Sequence, residues 1–341
     1  MYHLTSLIRI KCLVYCFLLF CYYNRAIMSK LISYIFPIYN ESGNIPLLYQ
    51  TMDALVKTNK KYKFEFIFVN GGSKDDSLNL LKKLVEKDNR VTVINFARNF
   101  GHQLAVTAGI DQASGDALII MDSDMQDPPA VSLELLAKWE EGYDVVYAQR
   151  RSRKDTFFKR LTASVYYRVL HRLADIDIPQ NTGDFRLIDK RVADTLRRMP
   201  EHNRFLRGMV SWIGFKQIAV PFDRDERHAG TTGYPLKKML KFAADGIFSF
   251  STTPLKLISK TGYAIAGVAF LGIVYALFMR IFYPEITIEG WTFIVISVLF
   301  MGGIQLIMLG VLGGYIGRIY TESQNRPLYT IDQIYTKIRR K

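Results

Sequence analysis

The chain has 341 residues, of which 49% are hydrophobic, and a formal net charge of +14. That length supports one large or two ordinary domains with a buried core. The basic charge is compatible with an anionic substrate or membrane surface, and the absence of a nucleic-acid motif argues against nucleic acid. All three cysteines lie in the first 21 residues, which excludes a disulfide framework and a thiol nucleophile from residue 28 onward.

Residues 1–27 differ in character from the rest of the chain. Arg9 and Lys11 precede the apolar run 12–21, which is similar to the hydrophobic region of a signal peptide. No small-residue cleavage site follows, and the run is short for a membrane span. The segment is therefore either a marginal anchor or an upstream extension. The extension is favoured, with an effective start at Met28, because the globular pattern begins directly at Ser29.

Strands alternate with helices between residues 31 and 150. Apolar runs predict strands at 31–36, 64–69, 91–95, 117–121 and 144–149. Segments with helical spacing or helix-start signals lie between them. Such alternation is typical of a mostly parallel sheet with helices on both faces. The sequence therefore predicts an α/β, Rossmann-like domain over residues 28–232.

The acidic stretch after the fourth predicted strand is the main candidate site. Asp122, Asp124 and Gln126 alternate just past the apolar run 117–121. If the strand geometry continues, they project to one side and offer only oxygen ligands, which suits Mg²⁺ or Mn²⁺. Open α/β sheets bind ligands at this edge. The alternative is an acidic solvated turn, because Asp-x-Asp alone is a weak motif.

Arg150 and Arg151 follow the fifth predicted strand. Arginines and carboxylates at strand ends of one sheet favour a metal-bound phosphate ester. A solvated basic turn is about equally compatible with these two residues alone.

Two uncharged stretches follow the α/β domain, 19 residues at 261–279 and 27 residues at 291–317. Each is long enough for a hydrocarbon core that needs roughly 20 residues, so two transmembrane helices are predicted. Residues 233–260 mix bulky apolar residues with lysine, which predicts amphipathic helices on the membrane surface or, alternatively, a solvated helix packed on the domain. Both outer flanks, including the tail 318–341, are more basic than the connector. The positive-inside rule then predicts a multi-pass protein of the cytoplasmic (inner) membrane, with its α/β domain in the cytoplasm.

Six short motifs are distributed along the chain from Met28 onward. They are P-I-Y-N-E at 37–41, G-S-K-D at 72–75, R-N-F-G at 98–101, D-S-D-M-Q-D-P-P at 122–129, G-D-F-R at 183–186 and R-H-A-G at 227–230. Each motif is modest, but their order and spacing together are specific. With the paired carboxyl-terminal spans, they make the sequence resemble the family 2 glycosyltransferases. Within them it is similar to the bacterial polyprenyl-phosphate glycosyltransferases, the group of dolichol-phosphate mannose synthase and the bactoprenol glucosyltransferases.

The resemblance implies a GT-A fold, a UDP-sugar donor, Mg²⁺ or Mn²⁺, a polyprenyl phosphate acceptor and contact with the lipid bilayer. It leaves assembly into a homo-oligomer open. It implies metal and diphosphate contacts for Asp122, Asp124 and Gln126, with Asp184 at the position where a general base can be proposed. The donor set, with Glu41 at the nucleoside, is Pro37, Tyr39, Glu41, Gly71, Ser73, Asp75, Arg98, Asp122 and Arg150. The phosphate ligands, at least one of them for the acceptor, are Arg150, Arg186 and Arg227.

Two positions depart from the family pattern. Gly71 stands where the family usually has an aspartate that helps to read the nucleotide base, and Gly233 stands where it usually has a lysine near the phosphates. Both departures concern donor affinity more than the fold.

The expected reaction is an inverting transfer of a sugar, glucose or N-acetylglucosamine, to the acceptor phosphate. A phosphate monoester with a second pKa of about 6 is already largely a dianion at neutral pH, so it needs no general base. One alternative is a processive polysaccharide synthase, although two spans are too few to frame a channel. The other is a non-catalytic or weakened sugar-nucleotide-binding membrane protein, for which Gly71 and Gly233 are the reason.

Overall fold

The computed structural model describes residues 29–151, 179, 182–223, 253–282 and 291–337. The predictions made for residues 1–27, Arg227 and Gly233 lie outside the described residues. Most of the predicted surface-helix segment, up to residue 252, also lies outside them.

All five predicted strands are present in the first part of the chain. Its elements are β1 (Leu31–Ile38), α1 (Ile45–Thr58), β2 (Lys63–Asn70), α2 (Ser77–Lys87), β3 (Val91–Phe96), α3 (His102–Gln112), β4 (Ala117–Ile120), α4 (Val131–Glu140) and β5 (Val145–Arg150). The second part contributes three further strands that the apolar runs did not reveal. Its elements are β6 (Thr182–Asp189), α5 (Lys190–Arg197), α6 (Leu206–Ile213), β7 (Gln217–Phe222), α7 (Thr253–Phe282), α8 (Trp291–Ser323) and β8 (Ile331–Thr336).

The strands form one eight-stranded sheet in the order β7-β5-β6-β4-β1-β2-β3-β8. Pairing is parallel for β1–β2, β1–β4, β2–β3 and β5–β7. Strand β6 runs antiparallel between β4 and β5, and β8 runs antiparallel along β3. The sheet is therefore mixed: the pairs within β1 to β4 and the pair β5–β7 are parallel, as expected, whereas β6 and β8 are antiparallel to their neighbours. The difference arises because β6 and β8 come from parts of the chain that lie beyond the β–α alternation.

Helices cover both faces of the sheet, as predicted. On one face, Leu48 of α1 and Leu135 of α4 pack with the aromatic side chains of β1 and β2. On the other face, Val106 of α3, Val192 of α5 and Met209 of α6 pack on the aliphatic side chains. A Cβ at Gly109 would overlap Ile35 Cγ2, so this glycine lets α3 approach β1. Because α3 follows β3 in the chain, its amino end lies at the carboxyl edge of the sheet.

Helices α7 and α8 have 30 and 33 residues and expose their apolar side chains. Phe270 is 65% exposed and Leu306 is 72% exposed, so protein does not cover these surfaces. Within the described part of the chain, one segment, Phe300–Ser323, is long and apolar enough to cross a membrane by length and composition. The other predicted span, 261–279, remains a prediction.

The residues after α8 return to the sheet. The ring of Tyr329 stacks on Phe96 with centroids 5.1 Å apart, and its hydroxyl donates to Asp111 Oδ2 at 2.7 Å. Strand β8 then pairs along β3 over five residue pairs. The predicted basic tail 318–341 therefore contains an edge strand of the sheet. The basic composition of the tail had not indicated a strand.

Candidate active site

Three loops meet at the carboxyl edge of β1, β2 and β4. Ser73 Oγ, in the loop after β2, accepts a hydrogen bond from Asn40 N, in the loop after β1, at 3.0 Å. Ser123 Oγ, after β4, donates to the carbonyl oxygen of Pro37 at 3.2 Å. The structure therefore brings together the regions of Pro37, Ser73 and Asp122 that the sequence singled out separately.

The loop after β1 is held in an uncommon conformation. Asn40 has φ of 55°, in the left-handed region that asparagine tolerates better than most residues. Beside it, Tyr39 is 45% exposed, which leaves the ring open to a ligand. Gly72 has φ of 73°, and a Cβ there would lie 2.9 Å from the backbone carbon of Arg98. Glycine at this position lets the loops after β2 and β3 touch.

Asp75 uses both of its carboxylate oxygens within the protein. Its Oδ2 accepts from Ser42 N at 3.0 Å, and its Oδ1 accepts from Ser77 N at 3.1 Å. Partial burial would raise the pKa of Asp75, but these hydrogen bonds outweigh it and lower the pKa. Asp75 therefore fastens the loop after β1 to the start of α2. Arg98, another residue of the predicted donor set, is exposed and lies over the ring of Phe100, 4.0 Å from its centroid.

The acidic stretch does not continue the strand. Strand β4 ends at Ile120, and Met125 has φ of 58°. Asp124 is buried, and its Oδ1 accepts a hydrogen bond from Gln126 N at 3.1 Å. The expectation that Asp122, Asp124 and Gln126 alternate on one side of a strand was wrong, because the chain closes a tight turn here. The ligand role of Gln126 stays a prediction.

Asp122 has a carboxylate oxygen without a hydrogen bond. Among the described residues no donor reaches its buried Oδ1, and His102 Nε2 lies 3.6 Å away. Burial raises the pKa of Asp122, and the charges of Asp184 and Asp124 add to this effect, while His102 opposes it. Such a carboxylate is suited to a cation that arrives with a ligand.

Asp184, on β6, is saturated by three side-chain donors. Arg207 Nε donates to its Oδ1 at 2.8 Å, and Gln103 Nε2 donates to its Oδ2 at 3.0 Å. His102 Nε2 lies 3.1 Å from the same Oδ2. Burial alone would raise the pKa of Asp184, but Arg207 and His102 outweigh burial and hold it well below its usual range. A carboxylate held in this way is a weak proton acceptor, and its three contacts hold the side chains of Arg207, Gln103 and His102 in place.

His102 links the two carboxylates of the site. Burial lowers its pKa, but the hydrogen bond to Asp184 and the charges of Asp122 and Asp184 prevail and raise it to about 9. His102 is thus a cation at neutral pH. Sequence reasoning missed His102, Gln103 and Arg207. His102 directly follows the R-N-F-G motif and could have been found there, whereas nothing in the local sequence marks Arg207.

Two arginines lie close to this cluster. Arg186 is paired in register with Ile120, two residues before Asp122, and is 6% exposed. Its Nη2 donates to the carbonyl oxygen of Gly183 at 3.0 Å instead of to a carboxylate. Burial lowers the pKa of Arg186 to about 10, against the charge of Asp184. Arg150, at the end of β5, has its Nη2 3.4 Å from the Cβ position of Gly183. Both arginines therefore lie beside Gly183, next to Asp184 on β6.

The residues present fit a divalent cation only as a partial ligand set. Within the described residues, no three His, Cys, Asp or Glu side chains are grouped as a metal cage. Mg²⁺ is commonly bound through one or two carboxylates together with substrate phosphates. The free oxygen of Asp122, with Asp124 two residues further on, matches that pattern of an open site.

Comparison with known proteins identifies the class and then the family. The family model described as "Glycosyl transferase family 2" matches residues 33–197. The chain is 50% identical over 311 residues to "Uncharacterized glycosyltransferase YkcC" of Bacillus subtilis (strain 168), covering 90% of this chain and 96% of that protein. It is 40% identical over 304 residues to "Prophage bactoprenol glucosyl transferase homolog" of Escherichia coli (strain K12), covering 89% and 99%. It is 39% identical over 301 residues to "Bactoprenol glucosyl transferase" of Shigella phage SfV, covering 88% and 97%.

The mixed sheet with helices on both faces is GT-A-like, and the protein is a glycosyltransferase. The chain belongs to glycosyltransferase family 2 and falls with the bactoprenol glucosyl transferases and their homologues, as the sequence motifs predicted.

Proposed function

We propose that this glycosyltransferase transfers a sugar, glucose or N-acetylglucosamine, from a UDP-sugar to a polyprenyl phosphate at the cytoplasmic face of the membrane. Relatives 39–40% identical over almost the whole chain carry the name bactoprenol glucosyl transferase or its homologue, which supports a polyprenyl acceptor. The observation that carries the proposal is the register of Arg186 with Ile120 at the end of β4, which places a buried arginine on the strand next to the one that leads into Asp122 and Asp124.

Different residues of the chain bind the donor and the acceptor phosphate. Tyr39, Glu41 and the loop of Ser73 receive the nucleoside end of the donor. A Mg²⁺ or Mn²⁺ ion, when held by Asp122 and Asp124, neutralises the charge of the leaving diphosphate. Gln126 is included in this ligand set through the family resemblance.

Arg186, together with Arg150 and Arg227, holds the acceptor phosphate. An oxygen of the acceptor phosphate forms the new bond to the anomeric carbon while the bond from that carbon to the UDP oxygen breaks. The anomeric centre is therefore inverted. The acceptor arrives largely as a dianion, and no proton has to be removed. Positioning by arginine is then the main contribution, because orientation supplies much of the rate enhancement in such reactions.

The burial of Arg186 also makes phosphate binding favourable in free energy. Among the described residues, the buried guanidinium of Arg186 donates to a carbonyl oxygen and forms no close ion pair with a carboxylate. A phosphate offers paired oxygens that a guanidinium binds in a bidentate manner. Phosphate binding would therefore compensate the burial that lowers the pKa of Arg186.

The exposed apolar surfaces of α7 and α8 support a location in the membrane. We infer two spans, 261–279 and 291–317, with both flanks in the cytoplasm. The topology can be tested in a chain whose Cys12, Cys16 and Cys21 have been replaced. A membrane-impermeant thiol reagent added to intact cells should label Glu285→Cys and should leave Glu86→Cys unlabelled; the reverse pattern contradicts the topology.

Release of UDP from UDP-glucose by the full-length protein in lipid nanodiscs, with and without polyprenyl phosphate, tests the reaction. We expect release that depends on the acceptor and a product with one sugar. A long polymer would indicate the processive synthase, and no release with any nucleotide sugar would indicate the non-catalytic protein. Competition among nucleotide sugars then identifies the donor.

The acceptor role of Arg186 has a matched control in Arg198, which is exposed at the end of α5. Arg186→Ala should raise the KM for polyprenyl phosphate about a hundredfold and leave UDP binding nearly unchanged. Arg198→Ala should alter neither. A loss confined to UDP affinity in Arg186→Ala would contradict the assignment.

A further inference from the structure

A chain of side-chain hydrogen bonds crosses the ends of four strands, from β8 to the loop after β1. Asn95 Nδ2 on β3 donates to Asp332 Oδ2 on β8 at 3.0 Å. Asn70 Nδ2 at the end of β2 donates to Asn95 Oδ1 at 2.7 Å. Ser73 Oγ donates to Asn70 Oδ1 at 2.6 Å and accepts from Asn40 N at 3.0 Å. The strand that follows α8 is thus connected to the proposed donor site.

The acceptor at one end sets the direction of every bond in this chain. A carboxylate accepts but does not donate, so Asp332 orients the amide of Asn95 with its nitrogen outward and its oxygen toward Asn70. That oxygen then orients the amide of Asn70, whose own oxygen receives the Ser73 hydroxyl hydrogen. The lone pairs of Ser73 Oγ remain available to Asn40 N. Asn70 is 1% and Asn95 7% exposed, so water has little access to these two amides, whereas Asp332 and Asn40 at the two ends of the chain of hydrogen bonds are exposed.

A β-bulge aims Asp332 at this chain. Gln333 lies opposite Asn95 and Ile331 lies opposite Phe96, so Asp332 is the extra residue without a partner on β3. Bulges of this kind redirect a side chain from the alternation of the strand. A regular strand would have placed residue 332 in the ladder.

The far end of the chain is the strained loop of the proposed donor site. Asn40 has φ of 55°, and its Oδ1 accepts from Lys74 N at 2.8 Å. These two hydrogen bonds of Asn40, beside the bond from Ser42 N to Asp75 Oδ2, join the loop after β1 to the loop after β2. They fix the backbone at Asn40, directly after the exposed Tyr39.

We propose that Asp332 is a positioning residue for donor binding and acts through Asn95, Asn70 and Ser73 on the loop of Tyr39 and Asn40. The inference rests on the proposed function, because it assigns the nucleoside end of the donor to this loop. It makes the carboxyl-terminal strand part of the donor site without any contact to the donor.

The test compares Asp332→Ala, Asp332→Asn and Thr336→Ala in the full-length protein. Thr336 Oγ1 makes the other side-chain hydrogen bond between β3 and β8, 3.2 Å from Thr92 Oγ1, but lies at the opposite end of the pairing. Asp332→Asn keeps an oxygen for Asn95 and should behave nearly like the unmodified protein. Asp332→Ala should raise the KM for UDP-glucose about tenfold, with kcat changed less than twofold. Thr336→Ala should leave both unchanged.

Two readouts without turnover complete the test. Calorimetry with UDP and Mg²⁺ should show the same tenfold loss in Asp332→Ala, and amide hydrogen exchange should quicken at Asn40 and Lys74 only in that variant. Equal losses of UDP affinity in Asp332→Ala and Thr336→Ala, or unchanged exchange at Asn40, would overturn the inference. Failure of the unmodified protein to bind UDP would instead overturn the proposed function, while the exchange rates would still report on the hydrogen-bond chain.

Discussion

His202 is joined to Glu322, so the loop before α6 is fastened to the last turn of α8. The imidazole Nδ1 lies 2.8 Å from Glu322 Oε2, and His202 N donates to Glu322 Oε1 at 2.8 Å. The other ring nitrogen, Nε2, lies 2.6 Å from the carbonyl oxygen of Arg326. A carbonyl oxygen and a carboxylate both accept, so the geometry requires a hydrogen on each ring nitrogen, and His202 is an imidazolium.

This contact should weaken as the pH rises. The hydrogen bonds to Glu322 and to the carbonyl oxygen of Arg326 raise the pKa of His202 above its ordinary value. A raised pKa contributes stability that is fully present below the unfolded value of about 6.5 and is lost as the pH rises through the folded value. Protection factors of the amides in residues 320–326, which are exchange rates corrected for the intrinsic base catalysis, should therefore fall above neutral pH and should be low at every pH in His202→Gln. Protection factors that do not change with pH in the unmodified protein would contradict this prediction.

Asp124→Asn should lower turnover at least about a hundredfold while the protein remains folded. The expected cause is loss of a metal ligand beside Asp122. Titration with Mn²⁺ followed by electron paramagnetic resonance, in the presence of UDP, provides a measure that does not depend on turnover. Asp116→Asn, outside the site, is the control. Unchanged Mn²⁺ affinity together with normal turnover in Asp124→Asn would remove Asp124 from the metal site.

Asp184→Asn should reduce turnover about tenfold to a hundredfold by the same factor at each pH. The asparagine cannot accept from Arg207, Gln103 and His102 at once, so the orientation of these groups is lost. The pKa of Asp184 lies well below its usual range, so titration of this carboxyl should produce no limb near neutral pH. Rate profiles of both proteins between pH 5.5 and about 9 check this. Recovery of the variant at high pH would restore the general-base role.

Gly71→Asp should tighten UDP binding roughly tenfold and sharpen discrimination against other bases. A Cβ at Gly71 would lie 3.3 Å from Ile38 O and 3.9 Å from the Tyr39 side chain, so the fold accommodates it with a small shift. The new carboxylate would accept a hydrogen bond from the base, worth roughly 1.5–3 kcal/mol. Calorimetry with UDP, CDP and GDP in Mg²⁺ measures the effect. Gly43→Asp, where nothing lies within 4 Å of the Cβ, adds the same charge as a control. Equal affinity and equal base preference would mean that Gly71 is functionally silent.

The sequence predicted the strands whose burial shows as a continuous apolar run of residues. Strands β1 to β5 are apolar runs, and a strand covered on both faces needs such a run whatever its partner is. Strand β6 was not recognised as a strand, because Asp184 and Arg186 interrupt its apolar pattern where it enters the site. The pattern of a strand reports its burial but not its neighbours, so the antiparallel position of β6 could not be predicted.

The site was predicted to a similar extent. Strand-end reasoning placed Pro37, Ser73 and Asp122 in one region, since strand ends meet at one edge of a parallel sheet, and the family resemblance alone added Arg186. The motifs did not reveal that Met125 turns the chain away from the strand, nor that Arg207 reaches Asp184. Both depend on local dihedral angles and on distant packing, which the spacing of residues does not encode.

The antiparallel pairing of β8 with β3 has a consequence for the order of synthesis. The ribosome delivers residues 331–336 last, after both long helices have been made, so the free edge of β3 stays open throughout translation of the rest. A nascent chain that ends before residue 331 therefore lacks the eighth strand. The sheet that carries the candidate active site is completed only after the two long helices α7 and α8 have been synthesised.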